Sequence, residues 1–106
     1  MLFAVAAFAQ KGTVTGTVTD AETGESVAGA VLEVAPVNAP DNKKYFTSGY
    51  KGAVSIPSLA YGDYTLVVSF LGYNNAEMTF KVAAAKQNIG TIQLKPGVQI
   101  ETVVKE

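Results

Sequence analysis

The sequence predicts an all-β domain, a seven-stranded antiparallel sandwich, on three observations. Apolar and polar residues alternate with period two in stretch after stretch. Clusters of Gly, Pro, Asn and Asp interrupt the alternation roughly every ten residues, and no helical periodicity outlasts a single turn. The clearest run is VSIPSLAYGDYTLVVSFLGY, Val54 to Tyr73. From Tyr64 onward, Tyr64, Leu66, Val68 and Phe70 alternate with Thr65, Val67 and Ser69, the pattern of a central strand with one buried face. Pro57 cannot donate to a ladder, so Val54 to Ile56 reads as a separate short strand ending where the proline begins.

The remaining elements follow the same grammar. Thr13 to Thr19 sets Val14, Gly16 and Val18 on one face and four threonines on the other. Asp20 to Glu25 is a turn with Thr23-Gly24 at its tip, where glycine can adopt a positive φ. Ala28 to Val34 resumes with Ala30, Leu32 and Val34 facing in and Glu33 out, and Gly29 stands where a side chain would collide with a neighbouring strand. Pro36 stops pairing and opens the longest loop, PVNAPDNK. Lys44 to Ser48 is a short edge strand, and Gly49-Tyr50-Lys51-Gly52 turns the chain into the central run. Beyond Gly72 and Asn74-Asn75, residues Ala76, Met78, Phe80 and Val82 alternate against Glu77, Thr79 and Lys81. Ala83 to Lys86 is a connection or a single helical turn, and four residues hold no helix alone. Ile89 to Lys95 closes the domain, with Ile92 and Leu94 inward.

Composition removes whole classes of chemistry. The 106-residue chain is one domain with one core. It has no Cys, His, Trp or Arg, which excludes disulfides, thiolate nucleophiles, histidine bases and the usual Cys/His zinc sites. A net charge of −1 offers no field for a phosphate backbone, so nucleic acid is not an expected partner. Asp20, Glu22 and Glu25 share one turn but match no calcium loop, and they read as a solvated polar turn. Ser48, Ser55 or Ser58 with Lys51 would make a serine-lysine dyad only if the lysine were buried, and nothing in the sequence buries it. No catalytic residue, metal or cofactor is expected.

The first ten residues, MLFAVAAFAQ, are too short an apolar run to span a bilayer. Ala7-Phe8-Ala9 before Gln10 matches the small-x-small pattern of a signal-peptidase site, so residues 1–9 read as the end of a secretory leader lacking its basic start, with a first strand as the alternative. The sandwich then occupies residues 10–96, and residues 97–106 form an extended tail.

Three segments in order, GTVTDAETGESVAGAVLEV (Gly16 to Val34), the turn ending at Gly52, and VSIPSLAYGDYTLVVSFLGY, resemble the carboxypeptidase regulatory-like domain. The resemblance covers roughly Gly12 to Lys95 and implies a Greek-key, transthyretin-like (prealbumin-like) sandwich. Relatives open the turn before Gly52 with Asp in a D-x-x-G pattern, whereas this chain has Gly49-Tyr50-Lys51-Gly52. Within the family it is similar to the extension ahead of the plug in SusC/RagA-like TonB-dependent outer-membrane receptors of Bacteroidetes-type bacteria. That similarity implies an exported, non-enzymatic module facing the periplasm, whose partners are TonB or the receptor's own plug and barrel.

Two candidate contact sites follow. Gln99 to Val104 resembles a Ton box, and Glu101, Thr102, Val103 and Val104 make a β-branched segment suited to strand addition beyond the break at Pro96-Gly97. The usual continuation of a Ton box is replaced by Lys105-Glu106. The aromatics Tyr45, Tyr50 and Tyr61 fall near loops and form a candidate patch for a protein or a carbohydrate. A carbohydrate-binding or adhesion module, or a spacer beside a secreted enzyme, is the alternative reading.

Overall fold

The computed structural model describes residues 10–97. Seven strands appear in chain order: β1 (Lys11–Asp20), β2 (Val31–Pro36), β3 (Lys44–Thr47), β4 (Ala53–Ala60), β5 (Gly62–Ser69), β6 (Ala76–Val82) and β7 (Lys86–Leu94). A 3₁₀ turn, Tyr50–Gly52, precedes β4. The strands divide into a three-stranded sheet, β4-β1-β7, and a four-stranded sheet, β3-β2-β5-β6. The strand β5 returns to lie beside β2 rather than beside β4, which is the Greek-key step expected of the fold. As the alternation required, β5 is an interior strand.

The core lies between the sheets. Val14 and Val18 from β1, Leu32 and Val34 from β2, Ile56 from β4, Leu66 and Val68 from β5, Val82 from β6 and Leu94 from β7 are essentially sealed from water. Their alternation with exposed or half-exposed residues follows the period-two pattern strand by strand. Burying one such aliphatic side chain contributes about 1.5–3 kcal/mol relative to leaving it in water. Tyr64 stacks on Phe80, its cross-strand partner, with ring centroids 5.7 Å apart. The Tyr64 hydroxyl donates to the Ala60 carbonyl at 2.6 Å, closing the corner where the chain changes sheets after β4.

Several expectations need correction. The pairing of β1 with β7 is parallel, so the three-stranded sheet is mixed rather than antiparallel throughout. Parallel neighbours cannot be joined by a hairpin. The first and last strands can pair in this sense because the other five intervene. The strand expected to end at Ile56 runs to Ala60. Pro57 is tolerated because β4 is an edge strand bonded only to β1, and Pro57 and Ser58 together face Thr13 in a bulge, with Ser58 at φ +58°. The strand expected from Ala28 starts at Val31.

Gly29 is needed for its φ of +85°, not to avoid a collision, since a Cβ there would come no closer than 3.8 Å to the Phe70 ring. Gly52 is the reverse case: besides φ +74°, a Cβ would run into the Val18 carbonyl oxygen. Phe70 lies outside the core at 37% exposure, because β5 ends at Ser69 and the Tyr73 amide closes a turn onto the Phe70 carbonyl at 3.0 Å. Residues Ala83 to Ala85 are a plain connection.

Candidate functional site

A buried, hydrogen-bonded carboxylate sits at one end of the sandwich, where β1 stops. Asp20 is the last residue of that strand and is 8% exposed. One oxygen, Oδ1, accepts from the backbone amides of Glu22 at 2.7 Å and Thr23 at 3.0 Å, so the side chain shapes the turn that follows it. The other, Oδ2, accepts from the Tyr73 hydroxyl at 2.7 Å. Tyr73 lies 53 positions later, in the turn between β5 and β6. The bond therefore ties the first turn of one sheet to the last turn of the other.

Charge-assisted hydrogen bonds of this kind favour the ionised acid. The Tyr73 hydroxyl, then the Thr23 and Glu22 amides, hold the Asp20 carboxyl below its ordinary value of 3.8, against a smaller opposing effect of burial. The same bond raises the Tyr73 hydroxyl above its ordinary 10.0, with burial and the charges of Asp20 and Glu25 adding in the same direction.

Tyr73 also fixes where the chain leaves the domain. It forms an antiparallel bridge with Pro96. On either side of that bridge the Asn74 amide donates to the Lys95 carbonyl, and the Gly97 amide to the Gly72 carbonyl, both at 2.9 Å. The last described residue is thus anchored beside Leu71, which is 95% exposed at the tip of the β5–β6 turn. The candidate tail residues Glu101, Thr102, Val103 and Val104 lie outside the described residues.

The candidate aromatics are all exposed, and Tyr50 and Tyr61 stand at opposite ends of β4. Tyr45 is on the outer face of β3, opposite Glu33 of β2. Tyr50 is in the 3₁₀ turn ahead of β4, 84% exposed, with the Lys51 ammonium 5.5 Å from its ring centre. Tyr61 follows the far end of β4, so that eight-residue strand, roughly 25 Å long, separates it from Tyr50. Tyr61 lines a shallow recess shared with Pro36, Val37, Asn38 and Asp63. Beside it Lys11, Asn42, Lys44 and Tyr64 border a smaller hollow of about 220 Å³. That is below the size of pockets that enclose a drug-sized ligand.

The serine considered as a nucleophile has a different use. Ser48 is buried, accepts from the Ala30 amide at 2.9 Å and donates to the Val27 carbonyl at 2.8 Å. With its own amide bonded to Ala30, it fastens the segment ahead of β2 to the end of β3. Lys51, in the left-handed region at φ +58°, is exposed. Among the described residues, no group of three or more acidic side chains is placed to hold a metal ion, and no helix is long and apolar enough to cross a membrane.

Sequence reasoning identified the Asp20 turn but missed its bond to Tyr73. The available signal was an acidic residue closing a strand on its buried face, in register with Val14 and Val18.

No curated protein matches the chain. Among solved structures, the group B streptococcus pilus 2b backbone protein is similar at 22% identity and TM-score 0.65, over 84% of this chain and 42% of that one. An E269A mutant of the shaft pilin SpaA of Lactobacillus rhamnosus GG gives 19% and 0.66 over 83% and 46%. The Bacillus anthracis TIE protein gives 22% and 0.67 over 81% and 17%. The chain thus spans less than half the length of each, and at these identities the likeness is one of fold. The sequence profile of the carboxypeptidase regulatory-like domain matches residues 13–95, which include both halves of the Asp20–Tyr73 clasp, and the chain belongs to that family.

Proposed function

We propose that this domain is a non-catalytic, exported module that acts by binding other proteins, as the periplasm-facing extension of a TonB-dependent outer-membrane nutrient receptor. The observation that carries this reading is the anchored exit of the chain. Pro96 and Gly97 are bonded to the β5–β6 turn, so the β-branched segment from Gln99 to Val104 begins two residues after a fixed point at the end of the sandwich. A segment so tethered is suited to strand donation, in which main-chain hydrogen bonds supply affinity and alternate side chains supply specificity. Its resemblance to a Ton box names TonB as the acceptor. The absence of Cys and His, and the commitment of the Ser48 hydroxyl to backbone bonds, support a role without catalysis.

The test is binding of the full chain to the C-terminal domain of a cognate TonB, measured by calorimetry. Binding by the wild type and its loss in Val103→Pro, with Tyr45→Ala and Tyr61→Ala unaffected, supports the reading. Binding that survives Val103→Pro refutes the tail as the donor strand.

A second reading, a structural or adhesion module, is favoured by the likeness of the fold to pilus backbone and shaft pilin structures. On that reading the sandwich acts as a spacer, and the exposed Tyr45 or Tyr61 supplies any contact with protein or carbohydrate. No binding to TonB, together with a carbohydrate-dependent shift at Tyr61, would select it.

A further inference from the structure

Four strands form the free edges of the two sheets: β4 and β7 in one, β3 and β6 in the other. An unguarded edge presents unpaired backbone donors and acceptors to any passing strand. Three of the four are guarded. The β4 edge carries the Pro57–Ser58 bulge, and β7 is bulged at Ile89 and Gly90, with Gly90 at φ +84°. The β3 edge is only four residues long.

The β6 edge differs from all of these. It offers seven residues, with no proline, in unbroken register with β5. Among the described residues, none of the other main-chain hydrogen bonds involves Ala76–Val82.

We propose that the β6 edge is a self-docking surface, at which a second copy of this chain adds antiparallel about a two-fold axis at Thr79. The charge pattern specifies this occupant. The outward face of β6 carries Glu77, Thr79 and Lys81, all exposed. With the axis at Thr79, Glu77 of each copy stands opposite Lys81 of the other, and the two threonines face each other.

Cross-strand pairs of opposite charge and of threonines are both favourable. A slip of one residue would set this polar face against the inward set of the other copy, and register resists that wherever one face is buried. Moving the axis to Glu77 or to Lys81 would place like charges opposite. Only the register centred on Thr79 satisfies both charges, and it does so twice, as an isologous interface requires.

The inner face fits the same register. Met78 and Ala76 are only partly buried, though they pack on the core. Pairing would bring Met78 against Phe80 of the other copy and complete the cover of both. The result is a single eight-stranded sheet across the dimer. An interface of one strand pair is small and belongs to the weak, transient class.

The test uses the full chain in sedimentation equilibrium over a concentration series. The wild type should dimerise, and less so as salt is added, because the exposed charge pairs are screened. Glu77→Lys should weaken the dimer about tenfold by setting two like-charged pairs in place of two attractive ones. Lys81→Glu should do the same. An equimolar mixture of the two variants should recover association, since one then presents an all-basic edge and the other an all-acidic one.

Lys81 also faces Asp63 across β5, so thermal melts accompany that variant, whereas Glu77 faces the apolar Val67 and its reversal costs the fold little. A wild type that stays monomeric to about 1 mM overturns the proposal. So does a dimer indifferent to both charge reversals. A dimer lost on truncation after Gly97 but unmoved by either reversal places association in the tail, and overturns it as well.

Discussion

The two sheets solve the same problem in different ways. The three-stranded sheet joins the first and last strands of the domain in parallel, and both strands flanking β1 are irregular against it, β4 with one bulge and β7 with another. The four-stranded sheet is antiparallel throughout, and its three registers run without a shift. Distance along the chain does not account for it, since β2 and β5 pair across a long intervening segment without a shift; the bulges are confined to the two edge strands that flank β1. Irregularity protects the edges of the first sheet, and regularity leaves the β6 edge of the second open.

From this contrast, the largest effect of substitution should fall in the regular sheet. Leu66→Ala, at a fully buried position on interior β5, should cost about 3–5 kcal/mol by urea unfolding. Ile56→Ala, equally buried but on bulged edge β4, should lie near 2–3 kcal/mol, because an edge strand can settle into the space left behind. Equal losses at the two sites would break the comparison.

Next in size is the tie between the segment ahead of β2 and the end of β3. Ser48→Ala leaves the Ala30 amide and the Val27 carbonyl without their buried side-chain partner, and should cost about 1–3 kcal/mol in the same assay.

The clasp that joins the two sheets should show itself through pH. Asp20 has a depressed value in the folded state, so its contribution is present above about 3.8 and is lost as pH falls through the lower folded value. Tyr73 is raised, so its contribution is present below about 10 and is lost as pH rises through the higher folded value. Tyr73→Phe removes the largest cause of the Asp20 shift and should flatten the acid limb of the stability profile. An unchanged acid limb in that variant would dissociate the two residues energetically.

The smallest expected effect on stability is at the guard itself. Pro57→Thr should change the unfolding midpoint little, within about 0.5 kcal/mol, yet increase self-association seen by light scattering, because the β4 edge gains a donor.

The parts of this architecture legible in the sequence were those that depend on neighbours a few residues apart. Alternation alone places Leu32, Val34, Leu66, Val68, Ile92 and Leu94 in the core, and Gly24 marks its turn, where φ is +78°. What depends on distant partners was not legible. Pro57 looked like a strand terminator because the sequence does not say which strands are edges. The direction of β7 relative to β1 is set by five intervening strands, and Phe70 leaves the core because a turn starts one residue earlier than the alternation implies. Asp20 looked like a solvated turn residue because Tyr73, which covers it, lies 53 positions away. Tyr50 and Tyr61 are near in sequence but lie at opposite ends of β4.

The most direct test is a backbone NMR map of the full chain titrated with the TonB C-terminal domain. Proposed strand donation by the tail predicts shifts concentrated in Gln99 to Lys105, with β1 to β7 unmoved except near the Gly72–Gly97 anchor. Shifts running along Ala76 to Val82 at saturating TonB, with the tail silent, would contradict it and assign recognition to the open sheet edge.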